Sequence, residues 1–165
     1  MQEVKMGVAR GLARIVSGGQ SGVDRAGLDF AIRRGLDYFG WCPQDGWAED
    51  CPDPPGLLAK YPRMKQTPSA DPKQRTRWNV RDSDGTLVIV ASEISVSPGS
   101  AYTIDCARAR RKPHLVTDLR SRDAVFTARD WIAGLEAGAL NIAGPRESEW
   151  PGIYAAALDF LQLLF

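Results

Sequence analysis

The first residues suited to chemistry form a glycine-rich turn, Gly18–Gly22, which reads Gly-Gly-Gln-Ser-Gly. The turn follows an apolar run, Leu12–Ser17, and precedes a helical pattern over Val23–Arg34. Glycine lets the backbone approach a ligand, and the amides of about Gly22 to Arg25 would be unpaired donors at the positive helix end. This predicts a phosphate or oxyanion site, with a plain tight turn as the alternative. The predicted contacts here are Gly18, Gly19, Gln20, Ser21, Gly22 and Arg25.

Asp24 lies beside this turn, where a carboxylate would repel a bound anion. The favoured interpretation is a capping box, in which Asp24 accepts a hydrogen bond from the Ser21 amide. Asp24 could also pair with Arg25. The functional alternative is that Asp24 accepts a hydrogen bond from a ligand hydroxyl or amine, or holds a cation. Asp24 is therefore also a predicted ligand contact.

Two later turns offer further anion contacts. The turn Ser97–Thr103 provides Gly99 and the hydroxyls of Ser100 and Thr103 at the start of a predicted helix. These residues suit either a second phosphate contact or a plain helix cap. The third turn places Arg146 shortly after a glycine, as an anion clamp or as a solvated arginine.

Polar residues also surround the entry to the clearest strand, Thr86–Ala91. Asn79, Arg81 and Asp84 are predicted ligand contacts in this region. Asp82 and Asp84 could bind Mg²⁺ near a phosphate, although Asp-Ser-Asp-Gly is also ordinary turn chemistry.

The motifs disfavour several common sites. The first turn is not Gly-x-Gly-x-x-Gly and no acidic residue ends the second strand, so a nicotinamide site is not expected. The turn also lacks the Gly-Lys-Ser/Thr ending of a P-loop. His114 is the only histidine, which gives a zinc site little support. Cys42 and Cys51 could be soft metal ligands, but packing residues are the favoured interpretation.

The amino-acid composition restricts the classes of partner that the protein could bind. The formal net charge is +1, which argues against a nucleic-acid partner. No apolar run approaches the roughly 20 residues of a membrane span, and Met1–Arg10 is not typical of a signal peptide. Three cysteines at irregular spacing fit a reducing compartment better than a disulfide framework. We therefore expect a cytoplasmic protein without a membrane or nucleic-acid partner.

Strand and helix patterns alternate along the chain. The predicted strands are Leu12–Ser17, Tyr38–Trp41, Thr86–Ala91, His114–Thr117 and Ala139–Ala143. The predicted helices are Val23–Arg34, Gln74–Asp82, about Ala101–Arg111, one around Val125–Leu135 and Ile153–Leu164. This alternation predicts an open, mainly parallel sheet with helices on both faces, a three-layer α/β/α domain. The carboxyl ends of its strands would bring the three turns to one edge.

Residues 42–75 interrupt this pattern with seven of the eleven prolines. Long helices and central strands are improbable there. Large apolar side chains such as Trp47, Leu57 and Tyr61 nevertheless indicate an ordered segment. We predict a folded lid or an interface loop within one domain spanning residues 1–165.

Four blocks in order resemble the family named "putative molybdenum carrier". They are Val16–Ala26, Gly40–Pro43, Trp78–Thr86 and Ala143–Ser148. That family belongs to a Rossmann-like superfamily with lysine-decarboxylase-like phosphoribohydrolases and molybdenum cofactor carrier proteins. The resemblance implies binding of a phosphorylated pterin or nucleotide, with molybdenum cofactor as candidate, and a homo-oligomer, either dimer or tetramer.

One departure bears on catalysis. The phosphoribohydrolases use Pro-Gly-Gly-x-Gly-Thr-x-x-Glu, and Cys106 stands where their catalytic glutamate would be. A thiol does not readily replace that carboxylate, so a binding or carrier protein is favoured over an enzyme. The alternatives are a nucleotide N-glycosidase using Asp24, Asp82 or Asp84, and a nucleotide sensor acting through its oligomeric state.

Overall fold

The structure is a computed structural model that describes residues 11–93 and 96–165, so Met1–Arg10 lies outside the described residues. The strands are β1 Arg14–Val16, β2 Asp37–Phe39, β3 Trp41–Cys42, β4 Lys65–Gln66, β5 Gly85–Val90, β6 His114–Asp118 and β7 Ala139–Ala143. The helices are α1 Val23–Arg34, α2 Leu57–Lys60, α3 Pro72–Arg81, α4 Pro98–Ala109, α5 Ala124–Ala133 and α6 Ile153–Leu164. A short 3₁₀ helix covers Gln44–Gly46.

Five strands form one parallel sheet in the order β2-β1-β7-β5-β6. From β1 the chain continues to β2 on one side, and from β5 it continues to β6 on the other. The carboxyl ends of β1, β7 and β5 therefore lie side by side where the strand order reverses, which is where open α/β sheets bind ligands. The predicted α/β class and parallel sheet are confirmed.

Helices cover both faces of this sheet. On β5, Leu87 and Ile89 join the large core formed with α1, α5 and α6. Val88 and Val90 face the other way and pack against Ile104 of α4. The result is the predicted Rossmann-like arrangement of three layers. Within the described residues, no helix has the length and apolar character needed to cross a membrane.

Two boundaries differ from the prediction in ways that shape the site. The predicted strand Tyr38–Trp41 is split, because β2 ends at Phe39 and β3 pairs with β4 in a separate sheet. A Cβ on Gly40 would lie 1.7 Å from the Ser17 oxygen, so the chain passes tightly over the end of β1 there. Helix α4 begins at Pro98 instead of near Ala101, since proline suits the first helical position.

The proline-rich segment is folded against the core. It contains only short elements before α3, as its prolines predict. Leu57, Tyr61 and Met64 are buried, and the Tyr61 hydroxyl donates to Asp29 Oδ1 of α1 at 2.6 Å. Asp71 then caps α3 by accepting from the Lys73 amide at 2.9 Å. The segment thereby places the start of α3 at the carboxyl edge of the sheet.

Candidate ligand-binding site

A cavity of about 350 Å³ opens at the carboxyl edge of the sheet. Its walls are the turns after β1 and β7, the first two turns of α3 and the start of α4. Five predicted contacts line it, namely Gln20, Asp24, Gly99, Thr103 and Arg146. The other polar residues of the lining are Lys73, Arg75, Thr76, Ser97, Tyr102 and Glu149.

The first turn is held against the turn after β7. Gly22 has φ +82°, and a Cβ there would lie 2.3 Å from the Pro145 oxygen. The Val23 amide donates to that oxygen at 3.2 Å, and the Arg25 amide donates to the Gln20 carbonyl at 3.0 Å. The prediction that these first-turn amides of α1 are unpaired is therefore wrong. The Val23 bond joins the two turns, which meet at the end of the sheet, and the Arg25 bond lies within the first turn.

Asp24 forms a buried ion pair with Arg75, whose Nη1 lies 3.1 Å from Asp24 Oδ2. Only 5% of the Asp24 side chain is exposed. Burial raises the pKa of the Asp24 carboxyl above its ordinary value, against the opposing effect of Arg75. The capping box is wrong, since Gly22 is the N-cap of α1 and the Ser21 amide donates to Gln20 Oε1 at 3.0 Å.

Arg75 itself is fitted to the first turn. A Cβ on Gly18 would lie 1.8 Å from its Nη1, so glycine is needed for the guanidinium to lie there. Arg75 Nε is buried and has no acceptor among the described residues. A buried donor without a partner costs about 1–3 kcal/mol, which a ligand oxygen would recover. Sequence reasoning missed Arg75 because nothing local indicates that α3 returns to this turn.

Arg25 is turned away from the cavity by an acidic partner. Its Nη1 and Nη2 contact Asp50 at 2.9 and 2.8 Å, and its Nε donates to the Gly19 carbonyl at 3.1 Å. The hydrogen bonds from Arg25 lower the pKa of the Asp50 carboxyl. Asp24 could have paired with Arg25, but the structure has two separate pairs, Asp24 with Arg75 and Asp50 with Arg25.

The start of α4 faces the cavity. Ser97 Oγ lies 2.7 Å from Ser100 Oγ and donates to Glu149 Oε2 at 3.1 Å, while Thr103 Oγ1 donates to the Gly99 carbonyl at 2.9 Å. These hydroxyls therefore already have protein partners. A Cβ on Gly99 would meet nothing within 4 Å, so this backbone borders open space. The positive end of α4 thus contributes to the cavity.

Three further predicted contacts lie outside both the cavity and the turns that surround it. The Asn79 amide bonds the backbone of Trp41 at 2.8 and 2.9 Å, and Arg81 pairs with Asp82. Asp84 Oδ2 accepts from two backbone amides before and within β7, at 2.9 and 2.8 Å. Arg81 and Asp84 precede β5, so they belong to the amino edge of the sheet. Among the described residues, no cluster of three or more potential metal ligands occurs.

None of the three cysteines lines the cavity, and Cys42 and Cys106 are buried whereas Cys51 is half-buried. Cys42 is buried, its thiol donates to the Lys65 carbonyl at 3.5 Å, and burial raises its pKa to about 11. Cys106 packs with Val80 between α3 and α4, and burial raises its pKa as well. Cys106 is therefore not positioned to act on a ligand in the cavity.

We predict that Arg75→Met lowers the free energy of unfolding by about 3 kcal/mol near neutral pH, because it leaves Asp24 buried and unpaired. The loss should shrink as the pH falls, because removing Arg75 removes a charge that lowers the Asp24 pKa, so the folded variant takes up a proton at Asp24 more readily than the folded wild type and the unpaired charge is neutralised. Urea unfolding at about pH 7 and pH 5 measures both effects. The double variant with Asp24→Asn should recover most of the loss, and a loss equal at both pH values would contradict the pairing.

The comparisons with known proteins agree with the fold. A crystal structure of a protein named a putative molybdenum carrier, from Syntrophus aciditrophicus SB, is 39% identical and superposes with a TM-score of 0.86. The match covers 94% of this chain and 96% of that chain. No curated protein matches the sequence. The model of the circularly permutated YpsA SLOG family matches residues 15–165, and this chain belongs to that family.

Proposed function

We propose that this protein binds and carries a small ligand bearing a phosphate or similar oxyanion, and that the cavity at the carboxyl edge is its binding site. Membership of the family and the name of the Syntrophus protein support a binding or carrier role. Molybdenum cofactor, a pterin with a phosphate, is the first candidate cargo. A cytoplasmic location and assembly into a dimer or tetramer remain predictions.

The observation that carries this proposal is the buried Nε of Arg75, which has no acceptor among the described residues. Its guanidinium lies against Gly18 and lines the cavity. An anionic oxygen is the partner that a guanidinium binds most strongly. Lys73 and Arg146 line the same cavity and add positive charge, while Asp24 and Glu149 offset part of it.

The size and lining of the cavity restrict the cargo. Its volume of about 350 Å³ lies near the lower end of the range for small-molecule sites. This favours one ring system with one phosphate over a dinucleotide. No cysteine lines the cavity, so the metal of a molybdenum cofactor would gain no thiolate from this chain. The residues fit the phosphate, through Arg75 and the start of α4.

Gly99→Ala tests the phosphate contact at α4. The added methyl meets no protein atom within 4 Å, so stability should be unchanged or slightly higher. If phosphate lies against this backbone, its Kd should rise about tenfold, equivalent to about 1.4 kcal/mol. Isothermal titration with inorganic phosphate gives the Kd.

The matched control is Gly134→Ala at the end of α5, where a Cβ would be at least 3.7 Å from other atoms. This variant should bind phosphate like the wild type. Equal affinity of the Gly99 variant and this control would argue against a phosphate site at α4. Absence of any phosphate binding would argue against the proposed function.

A second candidate function is hydrolysis of a nucleotide N-glycosidic bond, which the raised pKa of Asp24 in the cavity favours. Asp24 would donate a proton to the leaving base while water adds to the anomeric carbon. Free base should then appear from nucleoside monophosphates, and Asp24→Asn should slow its release about 100-fold or more. Chromatography of the products measures this. Binding of nucleotides without release of free base would argue against hydrolysis, and the carrier role would be the only one that remains.

A further inference from the structure

A carboxylate of this chain already lies where an oxyanion would be expected. Glu49 Oε1 accepts from the Ser21 hydroxyl and from the Ser148 amide, the latter at 3.3 Å. Its Oε2 accepts from the Ser148 hydroxyl at 2.6 Å and lies 3.9 Å from Arg146 Nη1. Hydroxyls, a backbone amide and a guanidinium thus converge on one anionic group.

This donor set is of the kind that binds phosphate. Ser21 comes from the turn after β1, and Ser148 and Arg146 come from the turn after β7. Arg146 also lines the cavity, as does Gln20, whose Oε1 accepts from the Glu49 amide at 2.9 Å. Of the donors that hold Glu49, Arg146 therefore borders the proposed binding cavity, and Ser21 directly follows the cavity residue Gln20 in the chain.

Glu49 and Asp50 form the tip of a tight turn. Ala48 and Cys51 pair across its base, with backbone hydrogen bonds of 3.3 and 3.0 Å. Asp50 binds Arg25 on one side of the tip while Glu49 binds the serines on the other. Burial alone would raise the pKa of Glu49, but hydrogen bonds from Ser148 and Ser21 bring it below its ordinary value. Glu49 is thus an anion at neutral pH.

We propose that Ser21, Ser148 and Arg146 form an oxyanion subsite in which Glu49 is a resident anion, and that an anionic ligand displaces the turn Ala48–Cys51. This inference rests on the proposed function and specifies how its site is filled. The turn Ala48–Cys51 then acts as an acidic latch. It leaves the subsite when an oxyanion enters that binds these donors more tightly than Glu49 does.

The solvent exposure of each carboxylate determines which one a ligand displaces first. The side chains of Glu49 and Asp50 are 23% and 46% exposed, which lowers the cost of replacing their own contacts with water, whereas Arg25, the partner of Asp50, is only 7% exposed and must gain water when the turn leaves. The Asp24 side chain is only 5% exposed and its partner Arg75 only 14%. The latch can therefore open while the buried pair remains intact.

The test compares inorganic phosphate binding to the wild type, Glu49→Gln and a control, Glu147→Gln. Glutamine keeps the size of Glu49 and an acceptor oxygen but removes the competing charge, so phosphate should bind about tenfold more tightly. Glu147 lies in the same turn as Arg146, and its carboxylate accepts instead from the Gly152 and Tyr154 amides. Glu147→Gln therefore removes an equal charge nearby and should change the Kd for phosphate less than twofold.

Hydrogen exchange gives a second, independent readout on the wild type. Saturating phosphate should speed exchange of the Glu49 and Cys51 amides, which now donate to Gln20 Oε1 and to the Ala48 carbonyl. Unchanged or slower exchange there, or equal phosphate affinity of wild type and Glu49→Gln, would overturn the latch and leave the proposed function standing. Failure of phosphate to bind any of the three proteins would overturn both.

Discussion

The close approach of three strand ends determines where a ligand can lie in this protein. A Cβ on Gly22 would lie 2.3 Å from the Pro145 oxygen, and a Cβ on Gly144 would lie 2.3 Å from the Ile89 oxygen. Side chains are excluded from both positions, and the Val23 amide is used to join the loops. The positive end of α1 therefore holds the loops together, and the cavity forms beside that junction, between α3 and α4.

Carboxylates from distant parts of the chain accept hydrogen bonds from arginine and hydroxyl groups at the carboxyl edge of the sheet. Asp24 pairs with Arg75, Asp50 pairs with Arg25, and Glu49 accepts from Ser21. The arrangement keeps the donors ordered before a ligand arrives, and under the proposal for Glu49 a ligand that enters between Ser21, Ser148 and Arg146 must bind them more strongly than Glu49 does. Affinity is then a difference between two sets of contacts, which favours ligands with more charge or better geometry than a carboxylate.

The layout of the fold could be predicted because strand and helix periodicity is local, and the range of α1 agrees in full with the structure. Two predicted ligand contacts lie at the wrong edge of the sheet, and the reason lies in the topology. Arg81 and Asp84 precede β5, and residues that enter a parallel strand lie at the edge opposite to those that leave it. Arg75 and Glu49 could not be assigned, because their partners Asp24 and Ser21 lie 51 and 28 residues away. The proline-rich segment that brings them together has no regular period from which to infer its path.

The most direct test of the carrier role is analysis of what the protein holds when isolated under native conditions from cells that make molybdenum cofactor. Native mass spectrometry, followed by denaturation and phosphorus and metal analysis of the released compound, identifies any cargo. We expect one phosphorus-containing small molecule for each chain, and its loss when Arg75 is replaced by methionine. Protein that carries no phosphorus compound, and takes up none from a panel of phosphorylated pterins and nucleotides, would contradict it.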